Sequence, residues 1–104
     1  MKKFIIFLII LCSSMVIFAS MRGRTIGGYP FAFEKSQMQK LSRLTSDKVA
    51  FTKYLNELTA TRQGGILKDG MDVYIENQTL GLVEIRPAGE TNTVWTVREA
   101  VKRN

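Results

Sequence analysis

Residues 66–95 read ILKDGMDVYIENQTLGLVEIRPAGETNTVW, and this stretch decides the fold of the chain. Apolar and polar residues alternate in short runs, which are separated by Asp69-Gly70, by residues 77–81 and by residues 87–89. Alternation with period two is typical of strands that bury one face, and the breaks are rich in turn-forming residues. With no crossover helix between the runs, the stretch predicts a small, strongly bent antiparallel sheet.

The alternation also assigns residues to the two faces of that sheet. The apolar residues of the two central strands are expected to point inward: Val73, Ile75, Val83 and Ile85. Tyr74 and Arg86 lie between them in the sequence and would face outward. A last short strand ends at Trp95.

Two helices are predicted before the sheet, between about residues 33 and 62. The second has the clearer pattern, since apolar residues from Ala50 to Leu58 recur at helical spacing. Ser46 or Asp47 would cap its start, and Gly64-Gly65 would stop it. After the sheet, Thr96 and Glu99 form a T-x-x-E capping pattern, which predicts a short C-terminal helix over residues 97–103.

The first twenty residues resemble a secretory signal peptide, with Lys2 and Lys3 followed by an apolar segment from Phe4 to Ala19. That segment has 16 residues, fewer than the ~20 that span a bilayer. Two alternatives stay open, an uncleaved N-terminal anchor and a lipoprotein acylated at Cys12. Residues 21–30, basic and then glycine-rich, predict a flexible linker, and residues 31–104 a single domain.

The composition argues against an enzyme, a cofactor and a metal site. The chain has no histidine and one cysteine, Cys12, so the usual general base and the commonest metal ligands are missing from the domain. Glu76, Glu84 and Glu90 are the only carboxylates considered for glycoside hydrolysis. A second acidic set, in which Asp69 and Asp72 join Glu76, is spaced unlike a calcium-binding loop.

Charge favours anionic partners without choosing among them. Lys and Arg number 15 and Asp and Glu 9, and the excess falls from six to four when Lys2 and Lys3 are removed with the leader.

Three segments of the predicted sheet, LKDGMDVYI, GLVEIRP and VWT, resemble a bacterial extracytoplasmic SH3-like domain. Such domains carry an L-x-x-G-x-x-V-x-V pattern, a turn, a G-x-x-x-V-R pattern and a closing strand with Trp. The resemblance covers about Gly65–Val97 and implies that the sheet, about residues 65–96, closes into a small barrel. The resulting expectation is an α+β fold: a two-helix N-terminal arm packed on a small antiparallel SH3-like β-barrel, with a short C-terminal helix.

The predicted function is that of a non-enzymatic, exported interaction module in the periplasm or outside the cell. Its binding face would combine Tyr74, Arg86 and Trp95 beside the loop 87–92, and its partner would be an envelope protein, a peptide or a cell-wall fragment. Export disfavours nucleic acid, and membrane contact is expected only through the N-terminal segment. A structural alternative makes Trp95 close the barrel and places Tyr74 under the helices. A functional alternative is an accessory or structural subunit of an envelope assembly, held in the inner membrane by an uncleaved leader.

Overall fold

The structure is a computed structural model that describes residues 21–103. The predicted signal peptide or anchor, residues 1–20, lies outside the described residues. Within 21–103, no helix has both the length and the apolar character needed to cross a membrane.

The described chain forms strands and helices in an order that begins and ends with β-structure. The elements are β1 (Arg22–Thr25), β2 (Pro30–Ala32), α1 (Lys35–Arg43), α2 (Lys48–Ala60), β3 (Gly64–Ile66), β4 (Asp72–Thr79), β5 (Leu82–Pro87), β6 (Val94–Val97), a 3-10 turn (Arg98–Ala100) and β7 (Val101–Arg103).

All strand pairs are antiparallel, and the sheet runs in the order β3-β2-β6-β5-β4-β1-β7. The two end strands, β3 and β7, do not pair with each other, so the prediction of a closed SH3-like barrel is wrong. The alternation in residues 66–95 specified which face each residue occupies, but it held no information on closure. Two of the strands that flank β4–β6, namely β1 and β2, come from the chain before the helices.

The predicted two-helix N-terminal arm is also wrong, because the helices are an insertion between β2 and β3. Each has a local reason to start where it does. The backbone N–H of Glu34 donates to Gln37 Oε1 at 3.1 Å at the start of α1. The Asp47 carboxylate accepts from the N–H of Ala50 at 3.1 Å at the start of α2.

The predicted C-terminal helix is absent, and the last described residues form a 3-10 turn and β7. The expected cap, Thr96, is fully buried in β6, where its hydroxyl donates to the carbonyl of Pro30 at 2.8 Å. A side chain held there cannot cap the following turn, so the T-x-x-E pattern is coincidental.

The two faces of the sheet bury different clusters. The inner face bends over itself and buries Val73, Ile75, Val83 and Ile85, which confirms the predicted inward set. The opposite, outer face is covered over β5 and β6 by the two helices. This second cluster comprises Ala32, Met38, Leu41, Leu58, Leu82 and Trp95.

The predicted linker contains β1, an interior strand between β4 and β7. Thr25 fixes its end, since its buried hydroxyl donates to the carbonyl of Lys68 at 2.6 Å and accepts from the N–H of Met71 at 2.9 Å. Gly23 allows the close approach of β7, because a Cβ there would lie 2.7 Å from Val101 Cγ1. The segment is therefore part of the fold.

Candidate binding face

A row of three side chains crosses β1, β4 and β5 on the outer face of the sheet. Tyr74 is paired with Arg22 of β1 on one side and with Arg86 of β5 on the other. The guanidinium carbons lie 5.6 Å (Arg22) and 4.7 Å (Arg86) from the centre of the Tyr74 ring. Both distances are within the range of cation–π attraction. We call Arg22, Tyr74 and Arg86 the aromatic row.

Arg86 is held in place by two further contacts. Its Nε donates to Glu76 Oε1 at 2.7 Å, and its Nη1 donates to the carbonyl oxygen of Glu90 at 3.1 Å. The side chains of Arg86 and Glu76 are 31% and 27% exposed, so the ion pair is partly shielded from water. These contacts fix the guanidinium over the Tyr74 ring before any partner arrives.

A β-bulge in β4 makes the contact with Glu76 possible. The pairing of β4 with β5 shifts between Ile75 and Asn77, so that Asn77, rather than Glu76, lies opposite Glu84. Glu76 is the extra residue, and its carboxylate reaches Arg86 on the outer face. Bulges re-aim side chains in this way.

Trp95, the third predicted binding residue, lies on the same face but is buried. It is paired with Glu84, two residues before Arg86 along β5. Only 8% of Trp95 is exposed, because the helices cover it, and the ammonium of Lys35 lies 5.7 Å from its ring. The structure therefore brings Tyr74 and Arg86 together and places Trp95 in the core, next to them but out of reach of a partner.

Arg22 is the member of the aromatic row that sequence reasoning missed. The sequence places it in the predicted linker, because its strand reads R-G-R-T. The inward positions of that strand are Gly23 and Thr25, both buried, and neither gives an apolar signal. The alternation of arginine with small residues is the only trace of the strand in the sequence.

Besides Glu76, three of the acidic side chains that the sequence singled out contact other groups. Glu84 Oε2 accepts from the hydroxyl of Thr93 at 2.7 Å, and Asp69 Oδ1 accepts from the N–H of Gly27 at 3.0 Å. Asp72 contacts Arg24, with Oδ1 3.4 Å from Nε. Across residues 21–103, no three acidic, histidine or cysteine side chains are grouped so as to hold a metal ion.

A shallow apolar cleft lies between the helices and strands β2 and β6. Its volume is about 230 Å³, and Tyr29, Met38, Leu41, Phe51 and Val97 contribute to its walls. Met38 and Leu41 are themselves core residues, so this cleft is a groove in the packing of α1 against the sheet. It holds no cluster of charged groups comparable to the aromatic row.

Comparison with known proteins adds nothing to this geometry. No protein-family model matches the chain, and no match was found among curated proteins or among solved structures.

Proposed function

We propose that the domain is a non-enzymatic interaction module of the cell envelope that binds an anionic partner, a protein segment or a cell-wall polymer, through the aromatic row. The observation that carries this proposal is the arrangement of Tyr74 between two guanidinium groups on the outer face of the sheet. Export of the domain is part of the proposal and depends on the predicted leader.

The chemistry of the aromatic row suits a binding surface. Tyrosine and arginine are over-represented among the residues that dominate binding energy, since they combine large contact area with polar groups. Ordering a long side chain on binding costs free energy. Arg86 is already ordered by Glu76 and Glu90, so little of that cost would remain for it.

Charge favours an anionic partner at this face. Arg22 and Arg24 both lie on β1 and are exposed, and Arg22 forms no ion pair with any other described residue. A surface of one sign speeds the encounter with a partner of the other sign and disfavours wrong partners. An acidic peptide or an acidic cell-wall polymer fits this requirement.

The experiment places a photo-crosslinking phenylalanine analogue at position 74 of the full chain in cells. We expect a discrete crosslinked product, and we expect it to weaken at least about fivefold when Arg86→Ala is added, in the range of a binding hot spot. The matched control carries the same analogue at Phe33, which is 49% exposed and lies outside the aromatic row. A product that forms equally from positions 74 and 33, or from neither, contradicts the proposal.

A second function is favoured by a specific feature of the chain. Only Ser20 and Met21 separate the apolar segment ending at Ala19 from the first residue of β1. Such a short connection suits an accessory or structural subunit held at the membrane by an uncleaved leader. Mass spectrometry of the native N-terminus distinguishes the two: a chain beginning at Met1 in the membrane fraction supports the anchored subunit, and a chain beginning near Ser20 or Met21 contradicts it.

A further inference from the structure

Four basic residues lie on β1 and β7, the last two strands at one end of the sheet order. Lys102 is paired with Arg24, and Arg103 is paired with Gly23, the residue between Arg22 and Arg24. Neighbouring strands lie about 4.8 Å apart, so Arg22, Arg24 and Lys102 occupy a compact area on the outer face. Arg103 shares a face with the inward Gly23 and adds its charge at the free edge of β7. All four are exposed. We call Arg22, Arg24, Lys102 and Arg103 the basic edge.

Little negative charge offsets the basic edge. Asp72 is paired with Arg24, but the contact is 3.4 Å long and both side chains are largely exposed, at 55% and 62%. Exposed pairs of this kind are screened by water and salt. Glu99, in the 3-10 turn before β7, is also exposed and forms no salt bridge with another described residue.

Protection of a sheet edge explains only half of this cluster. Lysine and arginine on an edge strand prevent pairing with other chains, and β7 is an edge strand. β1 is an interior strand with β4 on one side and β7 on the other, so Arg22 and Arg24 have no edge to protect.

The place of β1 in the chain points to a partner for these charges. Three residues of extended chain reach about 10 Å, which bounds the distance from Ala19 to Arg22. This is close to the Debye length at physiological ionic strength, about 8 Å. When the apolar segment 4–19 lies in a membrane, the start of β1 is therefore within electrostatic range of the lipid headgroups. Lys102 and Arg103 share that position, because β7 is paired directly with β1.

We infer that the basic edge lies on anionic phospholipid headgroups and sets the orientation of the domain at the membrane. The inference rests on the second proposed function, in which the apolar segment stays in the membrane. From the sequence, membrane contact is expected only through the N-terminal segment. Because β7 is paired with β1, the inference adds residues of these two strands to that contact. In this orientation we expect α2 to lie away from the lipid, because it packs against β3, which pairs with neither β1 nor β7.

The test uses the full chain reconstituted in vesicles of phosphatidylglycerol or of phosphatidylcholine, with lysine labelling by an amine-reactive reagent read by mass spectrometry. Each basic residue near an anionic surface favours the bound state by about fivefold. We therefore expect labelling of Lys102 to fall at least about fivefold on phosphatidylglycerol relative to phosphatidylcholine. Lys48 and Lys53 of α2 serve as references in the same molecule and should label equally on both. In ~1 M salt, where the Debye length is about 3 Å, the difference should disappear.

Two variants complete the test. The triple change Arg22→Gln, Arg24→Gln and Arg103→Gln should abolish the protection of Lys102. The control, Arg43→Gln with Lys48→Gln and Lys53→Gln, removes the same charge from the helices and should retain it. Equal labelling of Lys102 on both lipids, protection that survives high salt, or loss of protection in the control overturns the inference.

The lipid contact of the basic edge can be tested separately from partner binding by the aromatic row. Tyr74→Ala keeps all four cations of the basic edge, so it should leave the protection of Lys102 on phosphatidylglycerol unchanged. A result in which Tyr74→Ala alone removes that protection assigns the contact to the aromatic row and overturns the lipid inference.

Discussion

Two aromatic residues on one face of the sheet show how burial decides the role of a side chain. Trp95 and Tyr74 both lie on the outer face, but α1 and α2 cover only the first of them. Trp95 packs among Met38, Leu41 and Leu58, whereas Tyr74 is partly exposed between two arginines. The same residue class thus supplies core packing at one position and a candidate contact surface at the other.

Replacement of the two aromatic residues should separate these roles. We expect Trp95→Ala to lower the free energy of unfolding by about 3–5 kcal/mol, because it removes a large side chain from a packed core and leaves a cavity. Tyr74→Ala should cost about 1 kcal/mol or less, since it removes a partly exposed ring and its cation–π contacts. Denaturant unfolding followed by circular dichroism measures both. Equal losses for the two variants would contradict the assignment of Trp95 to the core.

At the scale of single residues, the sequence predicted the inner face better than the outer one. Val73, Ile75, Val83 and Ile85 alternate strictly with polar residues, and period two alone assigns them to one face. The burial of Trp95 depends on where the helices dock, and that is set by long-range packing. A local pattern carries no such information, so the predicted patch combined one buried residue with two accessible ones.

At the scale of elements, helix α2 offers a clean test of a cap. The sequence left Ser46 and Asp47 open as candidates, and the structure selects Asp47, whose Oδ1 accepts from the N–H of Ala50. We expect Asp47→Ala to lower the free energy of unfolding by about 1 kcal/mol, because a helix N–H loses its partner. Thermal unfolding measures the change as a shift in Tm of roughly 4–8 °C for a domain of this size.

The neighbouring residue provides the control for that cap. Ser46 is exposed, and its side chain makes no hydrogen bond with another described residue. Ser46→Ala should therefore leave Tm nearly unchanged. A larger loss from Ser46→Ala than from Asp47→Ala would transfer the cap to Ser46.

The sequence gives no signal for strand β1 and wrongly predicts a C-terminal helix, and each error has a physical reason. β1 has no apolar side chain at its inward positions, because Gly23 makes room for Val101 and Thr25 holds the Lys68–Met71 turn through its hydroxyl. The C-terminal helix was inferred from Thr96, which is occupied with the Pro30 carbonyl instead. In both cases a contact between residues far apart in sequence overrode or hid the local signal.

At the scale of the whole molecule, the two ends of the described chain form neighbouring strands. β7, the last strand, is paired only with β1, and β1 in turn completes β4. The sheet that carries the aromatic row therefore depends on a segment that its composition marks as a linker. The described chain therefore begins at an interior strand of the sheet.

An exchange of this segment distinguishes a strand from a linker. Replacement of Met21–Ile26 by six glycine and serine residues in the full chain would be neutral for a flexible tether. We expect it instead to abolish the cooperative thermal transition or to lower Tm by more than about 10 °C, because β4 loses a neighbour and β7 loses its only one. The matched control replaces Glu90–Asn92, three exposed residues between β5 and β6, in the same way. It should leave Tm within a few degrees of the starting value, because the side chains it removes are exposed. If the exchange at residues 21–26 is as neutral as the control, β1 is dispensable, and the fold then rests on the helices and the remaining strands alone.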